Sequence, residues 1–141
     1  MVPMGLDREQ LLLQMSRLEE SLKRIEKLRK DELDNLTRSA LERLVQIAVE
    51  EALNIGNHVI SGLALPKADT YREIFLVLEQ EKIIPKELSL ELQRFAVFRN
   101  RIVHLYWKIS EKEFLEQLGK IKFLREFSRT IVKYAKKERL L

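Results

Sequence analysis

Apolar residues along two faces of one long segment constrain the fold of this chain most strongly. Between about residues 36 and 61 they recur at helical spacing in two stripes, one formed by Leu41, Leu44, Ala48, Ala52, Ile55 and Val59 and the other by Val45, Val49, Leu53, Gly56 and Ile60. A helix that is apolar on two faces has to be surrounded by other elements. The pattern therefore predicts that this segment is the central helix of a bundle.

Helical patterns also mark the segments on either side. Residues 7–30 place apolar side chains in a single stripe, made of Leu11, Met15, Leu18, Leu22 and Ile25. Gly62 fits the cap at the end of the central helix, and Pro66 indicates a loop after it. The chain has only 4 glycines and 3 prolines, which favours long helices joined by few loops.

Three further helix starts can be predicted in the second half of the chain. The segments 70–73 and 110–113 are capping boxes, in which a hydroxyl and a carboxylate satisfy free backbone N–H groups. The first predicts a short helix to about Gln80, and the second predicts one last helix that includes Ala135. Pro85 fits the first position of a helix that runs to His104 or Tyr106. We therefore expect an all-α, up-and-down bundle of about five helices, with one domain over residues 1–141.

Composition narrows the classes of protein to consider. With 45% hydrophobic and 34% charged residues, the chain resembles a globular helical protein. It has no cysteine, which excludes disulfides and thiolate metal sites. No apolar run approaches the ~20 residues that span a bilayer, and the first residues lack the apolar region of a signal peptide. We expect a cytoplasmic protein with no membrane association.

One short motif offers the residues for chemistry on phosphate. Arg99, His104 and Tyr106 follow the pattern R-x-x-x-x-H-x-Y. A guanidinium binds phosphate oxygens in pairs, and an imidazole transfers protons near neutral pH. Asn100 lies one helical turn before His104 and faces the same way. Each residue also has an ordinary structural alternative: a histidine at a helix C-terminus, a packing aromatic, or an arginine in a surface ion pair.

Arg99 interrupts an apolar seam of its helix, which consists of Leu88, Leu92, Phe95, Ile102 and Tyr106. Burying an unpaired guanidinium is costly, so this end of the seam should open onto a cleft or a partner. On a regular helix Arg99 and His104 point roughly 140° apart. A symmetric dimer that brings two such helix ends together would let both residue types reach one phosphate.

Basic residues accumulate at the end of the chain. From Lys120 onward there are eight lysines and arginines against two glutamates. Such a segment suits a polyanion such as RNA, although a solvated helix face would have the same composition. The candidates for RNA contact are Arg101, Lys122, Arg125, Arg129 and Lys133.

The motif resembles the defining motif of the HepT family, a branch of the HEPN domain superfamily. The similarity extends to residues 40–43, 54–60, 71–75 and 98–104, in the same order and spacing, and covers about residues 8–134. One departure is Asn54, where an aspartate is common in the family. The asparagine retains the hydrogen-bonding shape of an aspartate but loses its charge.

The resemblance implies a metal-independent endoribonuclease toxin that needs no cofactor. It implies a homodimer with one composite cleft, with Arg99, Asn100 and His104 as catalytic residues and transfer RNA as the target. It also implies a partner, a small nucleotidyltransferase antitoxin of the MNT type, that silences the toxin by transferring AMP to Tyr106. His58 is interpreted as a structural histidine rather than part of the cleft. The alternatives are a HEPN module that binds a nucleotide or RNA without cleaving it, and a docking subunit for a nucleotidyltransferase.

Overall fold

The computed structural model describes residues 5–104 and 109–141, and these residues form helices and loops without a strand. The helices are α1 (Arg8–Leu28), α2 (Asn35–Gly62), α3 (Tyr71–Gln80), α4 (Lys86–His104), α5 (Glu111–Leu118) and α6 (Lys122–Lys137). The predicted all-α bundle is confirmed. Within the described ranges, no helix combines the length and the hydropathy needed to cross a bilayer.

Helix α2 is the central element, as its two apolar stripes predict. It packs against α1, α3, α4 and α6. Its side chains with at most 1% exposure are Leu41, Val45, Ala48, Val49, Ala52 and Ile55. The predicted stripe of α1 is buried as well. The core therefore lies around α2.

The predicted capping residues accept hydrogen bonds from free backbone N–H groups at the starts of α3 and α5. Thr70 Oγ1 accepts a hydrogen bond from the N–H of Glu73, and Ser110 Oγ accepts one from the N–H of Glu113. A third cap, Asp34, begins α2 by accepting from the N–H of Thr37. This bond holds the pKa of Asp34 below its ordinary value. The cap at Thr70 fixes the start of α3 and so the position of Tyr71, the first residue of this helix.

The last predicted helix is divided into α5 and α6. Between them the backbone N–H groups of Lys120 and Ile121 bond to carbonyls three residues earlier, as in a 3₁₀ turn. Gly119 weakens the α-helix at this point. The buried residues Leu118, Ile121 and Leu124 are spaced by three, so a 3₁₀ turn places them on one face. A tight turn therefore buries all three side chains.

Two glycines of α2 permit close approach of other segments. A Cβ at Gly56 would lie 2.6 Å from Ile74 Cγ2, so this glycine lets α3 approach α2. A Cβ at Gly62 would lie 2.9 Å from the Cα of Leu6. The expectation that Gly62 caps α2 is wrong, because Gly62 is the last helical residue and the left-handed conformation falls on Ala64, with φ of 53°. Gly62 instead makes room for the N-terminal segment.

Candidate functional site

A cleft of about 670 Å³ lies between α2, the start of α3 and the end of α4. Arg99, Asn100 and His104 line it from α4, and Asn54 and Asn57 line it from α2. The structure thus brings the three predicted catalytic residues to one cleft within a single chain. The prediction that the seam opens at Arg99 is confirmed.

Arg99 is held in place by three contacts. Its Nη2 donates to Glu50 Oε2 at 3.1 Å, and its Nη1 donates to Asn100 Oδ1 at 3.1 Å. The guanidinium carbon lies 4.9 Å from the centre of the Tyr71 ring, which is cation–π distance. Its Nε is buried without a hydrogen bond to any residue that the structure describes. Only 14% of the side chain is exposed, so the orientation of the guanidinium is fixed by its neighbours.

The seam explains why Arg99 comes to lie there. Leu88, Leu92 and Phe95 precede it on the same face of α4 and are buried against the core. The next position of that face is therefore also directed toward α2 and α3. Removing a guanidinium from water is costly unless it is paired, and Glu50 supplies the opposite charge.

His104 is the last residue of α4 and is exposed. It lines the same cleft as Arg99 and Asn100. A helix C-terminus favours a cation, so the position suits an imidazole that gains a proton during a reaction. The expected contribution of a second protomer stays a prediction, since one chain is described.

Tyr106, the expected site of AMP transfer, lies outside the described residues. Ile109, the first residue described after this gap, is buried. The carbonyl of Ile109 accepts a hydrogen bond from Arg38 Nη2, and the Arg38 guanidinium lies 5.3 Å from the centre of the Phe114 ring.

His58 has a structural role, as the sequence analysis favoured. Its Nε2 accepts from the backbone N–H of Asp7 at 2.9 Å, and its Nδ1 lies 3.0 Å from Gln14 Oε1. An accepting Nε2 leaves Nδ1–H to donate to the amide oxygen. The ring therefore fastens the start of α1 to α2. The neighbouring Asn57 lines the cleft instead.

The five candidate RNA-binding cations lie in different surroundings. Arg101 donates to Glu113 Oε2 at 2.7 Å and lines a separate cleft of about 400 Å³ between α4 and α5. This bond lowers the pKa of Glu113. Lys122, Arg129 and Lys133 are exposed on α6.

Arg125, the remaining candidate, is paired across the bundle. It bonds to Glu19 at 3.1 and 3.2 Å and also to Glu26, both on α1. The hydrogen bonds to Glu19, and to a smaller extent the one to Glu26, raise the pKa of Arg125. Its charge is therefore compensated locally and ties α6 to α1.

Sequence reasoning missed Glu50 and Tyr71. Both lie next to Arg99 only in the folded chain, and both line a second hollow of about 380 Å³ that adjoins the cleft. Glu51 lines this hollow too, and burial raises the pKa of its carboxyl. The adjacent acids at 50 and 51 gave only a weak signal, because this helix also has charged residues at 38, 42 and 43. Among the residues described, no three His, Cys, Asp or Glu side chains are grouped so as to hold a metal ion.

Curated relatives match part of the chain. A tRNA nuclease HepT from Aphanizomenon flos-aquae is 35% identical over 65 residues, which are 46% of this chain and 44% of that protein. The putative RNase YutE of Bacillus subtilis is 28% identical over 67 residues, 48% and 46% of the two chains. The matched region thus spans less than half the length of either relative.

Solved structures share the fold over nearly the full chain. The cytosolic protein of unknown function YutE from Bacillus subtilis has a TM-score of 0.80 at 23% identity, covering 98% of this chain and 95% of that one. A tri-AMPylated HEPN toxin of Shewanella oneidensis, solved in complex with an MNT antitoxin, has a TM-score of 0.83 at 20% identity, covering 87% and 96%. At these identities the similarity establishes the fold.

The family assignment comes from a family model. The model described as Ribonuclease HepT-like matches residues 14–131, from α1 into α6, and so includes the whole cleft. This confirms the resemblance found in the motif, and the chain belongs to the Ribonuclease HepT-like family.

Proposed function

We propose that this protein is a metal-independent endoribonuclease toxin that cleaves RNA, with transfer RNA as its target. The observation that supports this most directly is the common cleft of Arg99, Asn100 and His104 in a chain of this family. An arginine and a histidine beside one phosphate supply charge stabilisation and proton transfer without further groups.

His104 is the proposed acid–base residue. It removes the proton of a ribose 2′-OH, and the 2′-oxygen attacks the adjacent phosphorus. The bond to the 5′-oxygen then breaks, and that oxygen takes a proton from His104 of the second protomer in a homodimer. The products are a 2′,3′-cyclic phosphate and a 5′-OH. An imidazole can both accept and donate a proton near neutral pH, which suits both proton transfers.

Arg99 is the proposed electrostatic residue. The pentacovalent phosphorus gains negative charge in the transition state, and a fixed guanidinium stabilises that charge without reorganising. A guanidinium has five N–H donors, so the bonds to Glu50 and Asn100 leave donors for a phosphate. Asn100 holds one end of this guanidinium through its side-chain oxygen.

The proposed regulator is an MNT-type nucleotidyltransferase encoded as the antitoxin. It transfers AMP from ATP to the Tyr106 oxygen and releases pyrophosphate. The solved complex of the Shewanella toxin supports such a partner for this chain. The transferred AMP adds bulk and a negatively charged phosphate, which would repel RNA.

The decisive experiment treats a total transfer RNA pool with the purified protein in EDTA and analyses the ends of the products. We expect 2′,3′-cyclic phosphate ends from the wild type and loss of cleavage in His104→Ala. His104 is exposed, so the variant should fold as the wild type does, which circular dichroism checks. Ser128→Ala, on α6 away from the cleft, is the matched control and should cleave normally.

Two results would count against the proposal. Cleavage that disappears in EDTA and returns with Mg²⁺ would contradict metal independence. Intact RNA, with Tyr106 shown to be unmodified by mass spectrometry, would contradict cleavage and favour the non-catalytic binding module.

A further inference from the structure

We propose that Tyr71, Asn54 and Asn57 form a nucleobase subsite beside Arg99, so that the RNA is single-stranded at the phosphate that is cleaved. The inference rests on the proposed function for the identity of the ligand as RNA. It adds an assignment within the cleft: Arg99 binds the phosphate of a nucleotide, and the subsite beside it binds the base.

Tyr71 has the properties of a stacking platform. It is the first residue of α3 and is 45% exposed, whereas every phenylalanine of α3 and α4 is buried. Its ring is held against the Arg99 guanidinium at 4.9 Å. Nucleobases of single strands stack on such half-exposed rings, and each stacked base contributes about 1–3 kcal/mol. A fixed, exposed ring in the cleft therefore offers a base a surface to stack on.

Asn54 and Asn57 provide the polar groups that a base edge requires. They lie on one face of α2, one helical turn apart, and both are exposed into the cleft that Tyr71 lines. An amide offers both a donor and an acceptor, as the edges of the bases do. Neither amide has a charge, so the pair suits a base rather than a phosphate. In a duplex the Watson–Crick edges are occupied, so an edge is available here only in an unpaired strand.

The arrangement matches the covalent structure of a nucleotide. The phosphate-binding group Arg99 touches the ring that would stack the base, so both ends of one nucleotide can be bound at once. The cleft volume of about 670 Å³ lies within the range of roughly 300–1,000 Å³ that is usual for small-ligand sites. A structural alternative is that Tyr71 only shields Arg99 from water. In that case binding would not depend on the presence of bases.

Binding is measured by fluorescence anisotropy in the His104→Ala background, where the RNA stays intact. The probes are labelled oligoadenylate, oligouridylate and oligocytidylate of about twelve nucleotides, and a ribose–phosphate strand of equal length without bases. Each probe is titrated with the parent, Tyr71→Leu and Tyr71→Phe. Asn54→Ala and Asn57→Ala are titrated in the same way, and Tyr134→Leu on α6 is the matched control for removing a tyrosine ring.

We expect Tyr71→Leu to weaken binding of the strands with bases about tenfold and of the baseless strand less than twofold. Tyr71→Phe keeps the ring and should restore the binding of the strands with bases. The asparagine variants should change the order of affinity among the three oligonucleotides. Tyr134→Leu should bind like the parent.

Equal weakening of both kinds of strand by Tyr71→Leu would overturn the subsite, because the ring would then act only through Arg99. Unchanged binding of every strand would overturn it as well. These outcomes differ from failure of the proposed function, which is absence of cleavage by the wild type. A wild type that does not cleave, combined with ring-dependent binding of bases, would leave the subsite in place on a protein that only binds RNA.

Discussion

Arg99 Nη2 and Glu50 Oε2 are 3.1 Å apart, although 49 residues separate them in the chain. The pair joins the end of α4 to the middle of α2, and 14% and 33% of the two side chains are exposed. The Arg99 guanidinium, which we propose stabilises the charge of the transition state, is thus fixed to the central helix of the bundle. A cation fixed before substrate binds loses little entropy on binding a phosphate.

The coupling between these two residues can be measured by a double-mutant cycle. We expect Glu50→Gln, Arg99→Gln and the double variant to give a coupling free energy of about 1 kcal/mol, because the pair is mostly shielded from water. Urea unfolding of the four proteins supplies the values. The exposed pair of Arg24 and Glu20, at 65% and 63% exposure, is the matched control and should couple by only a few tenths of a kcal/mol. If the coupling free energy of Glu50 and Arg99 is no larger than that of this control pair, Glu50 does not hold Arg99 in place.

Tyr106→Phe should remove the site of modification without affecting the fold. The tyrosine oxygen is the proposed acceptor of AMP, and phenylalanine has no such oxygen. We expect a purified MNT-type transferase with labelled ATP to modify the wild type and to leave the variant unlabelled. Tyr134→Phe is the control and should be labelled like the wild type. Undiminished label in Tyr106→Phe would assign the modification to another residue.

The salt dependence of RNA binding can show which cations of α6 contact phosphates. The triple variant Lys122→Gln, Arg129→Gln, Lys133→Gln removes exposed charges. If all three contact phosphates of a single strand, the slope of log Kd against log salt should fall by about 2. The slope is measured with the intact RNA and a His104→Ala background.

Arg125→Gln is the contrasting variant in this series. Since Arg125 is bonded to Glu19 and Glu26, its loss should lower the free energy of unfolding by about 1 kcal/mol. The salt slope should then stay close to that of the parent. A triple variant with an unchanged slope would remove this face of α6 from the RNA-binding surface.

Glu51→Gln should stabilise the fold at neutral pH. Burial raises the pKa of Glu51 above its ordinary value of 4.5, so the folded state disfavours the ionised form. The stability linked to this group is present below pH 4.5 and is lost as pH rises through the folded pKa. Its Oε2 is also buried without a hydrogen bond within the described ranges.

We therefore expect the free energy of unfolding of Glu51→Gln to be about 1 kcal/mol higher than that of the wild type at pH 7. Near pH 4 the two free energies should be equal. Urea unfolding at both pH values measures the difference. Glu32→Gln, at an exposed position in a loop, should change neither value. A variant less stable than the wild type at pH 7 would show that the attraction of Arg17 outweighs the cost of burial.

Helical periodicity was sufficient to predict most of the fold. The stripe of α1 and, apart from the half-buried Leu44, the two stripes of α2 are buried as expected, because side-chain spacing along a helix decides which face meets the core. The division of the last helix escaped prediction, since Leu118, Ile121 and Leu124 fit one stripe about as well in an α-helix as in a 3₁₀ turn. The role of Gly62 depends on Leu6, which is distant in sequence.

The candidate site was predicted on one wall only. Arg99 could be singled out because a guanidinium in an apolar seam conflicts with its surroundings. Glu50 and Tyr71 could not, since each has an ordinary place in its own helix and meets Arg99 only through packing. Arg125 shows the same limit, because its partners lie on α1, about 100 residues earlier in the chain.

The close approach at Gly56 has a genetic consequence. Even the smallest side chain there would meet Ile74 Cγ2 at 2.6 Å, and Ile74 lies one helical turn after Tyr71. If the protein is toxic when expressed alone, colonies that survive its expression should include Gly56→Ala and Gly56→Ser, besides changes at Arg99 and His104. Resistance would then arise at a residue that no RNA touches, because the spacing of two helices sets the width of the cleft between them.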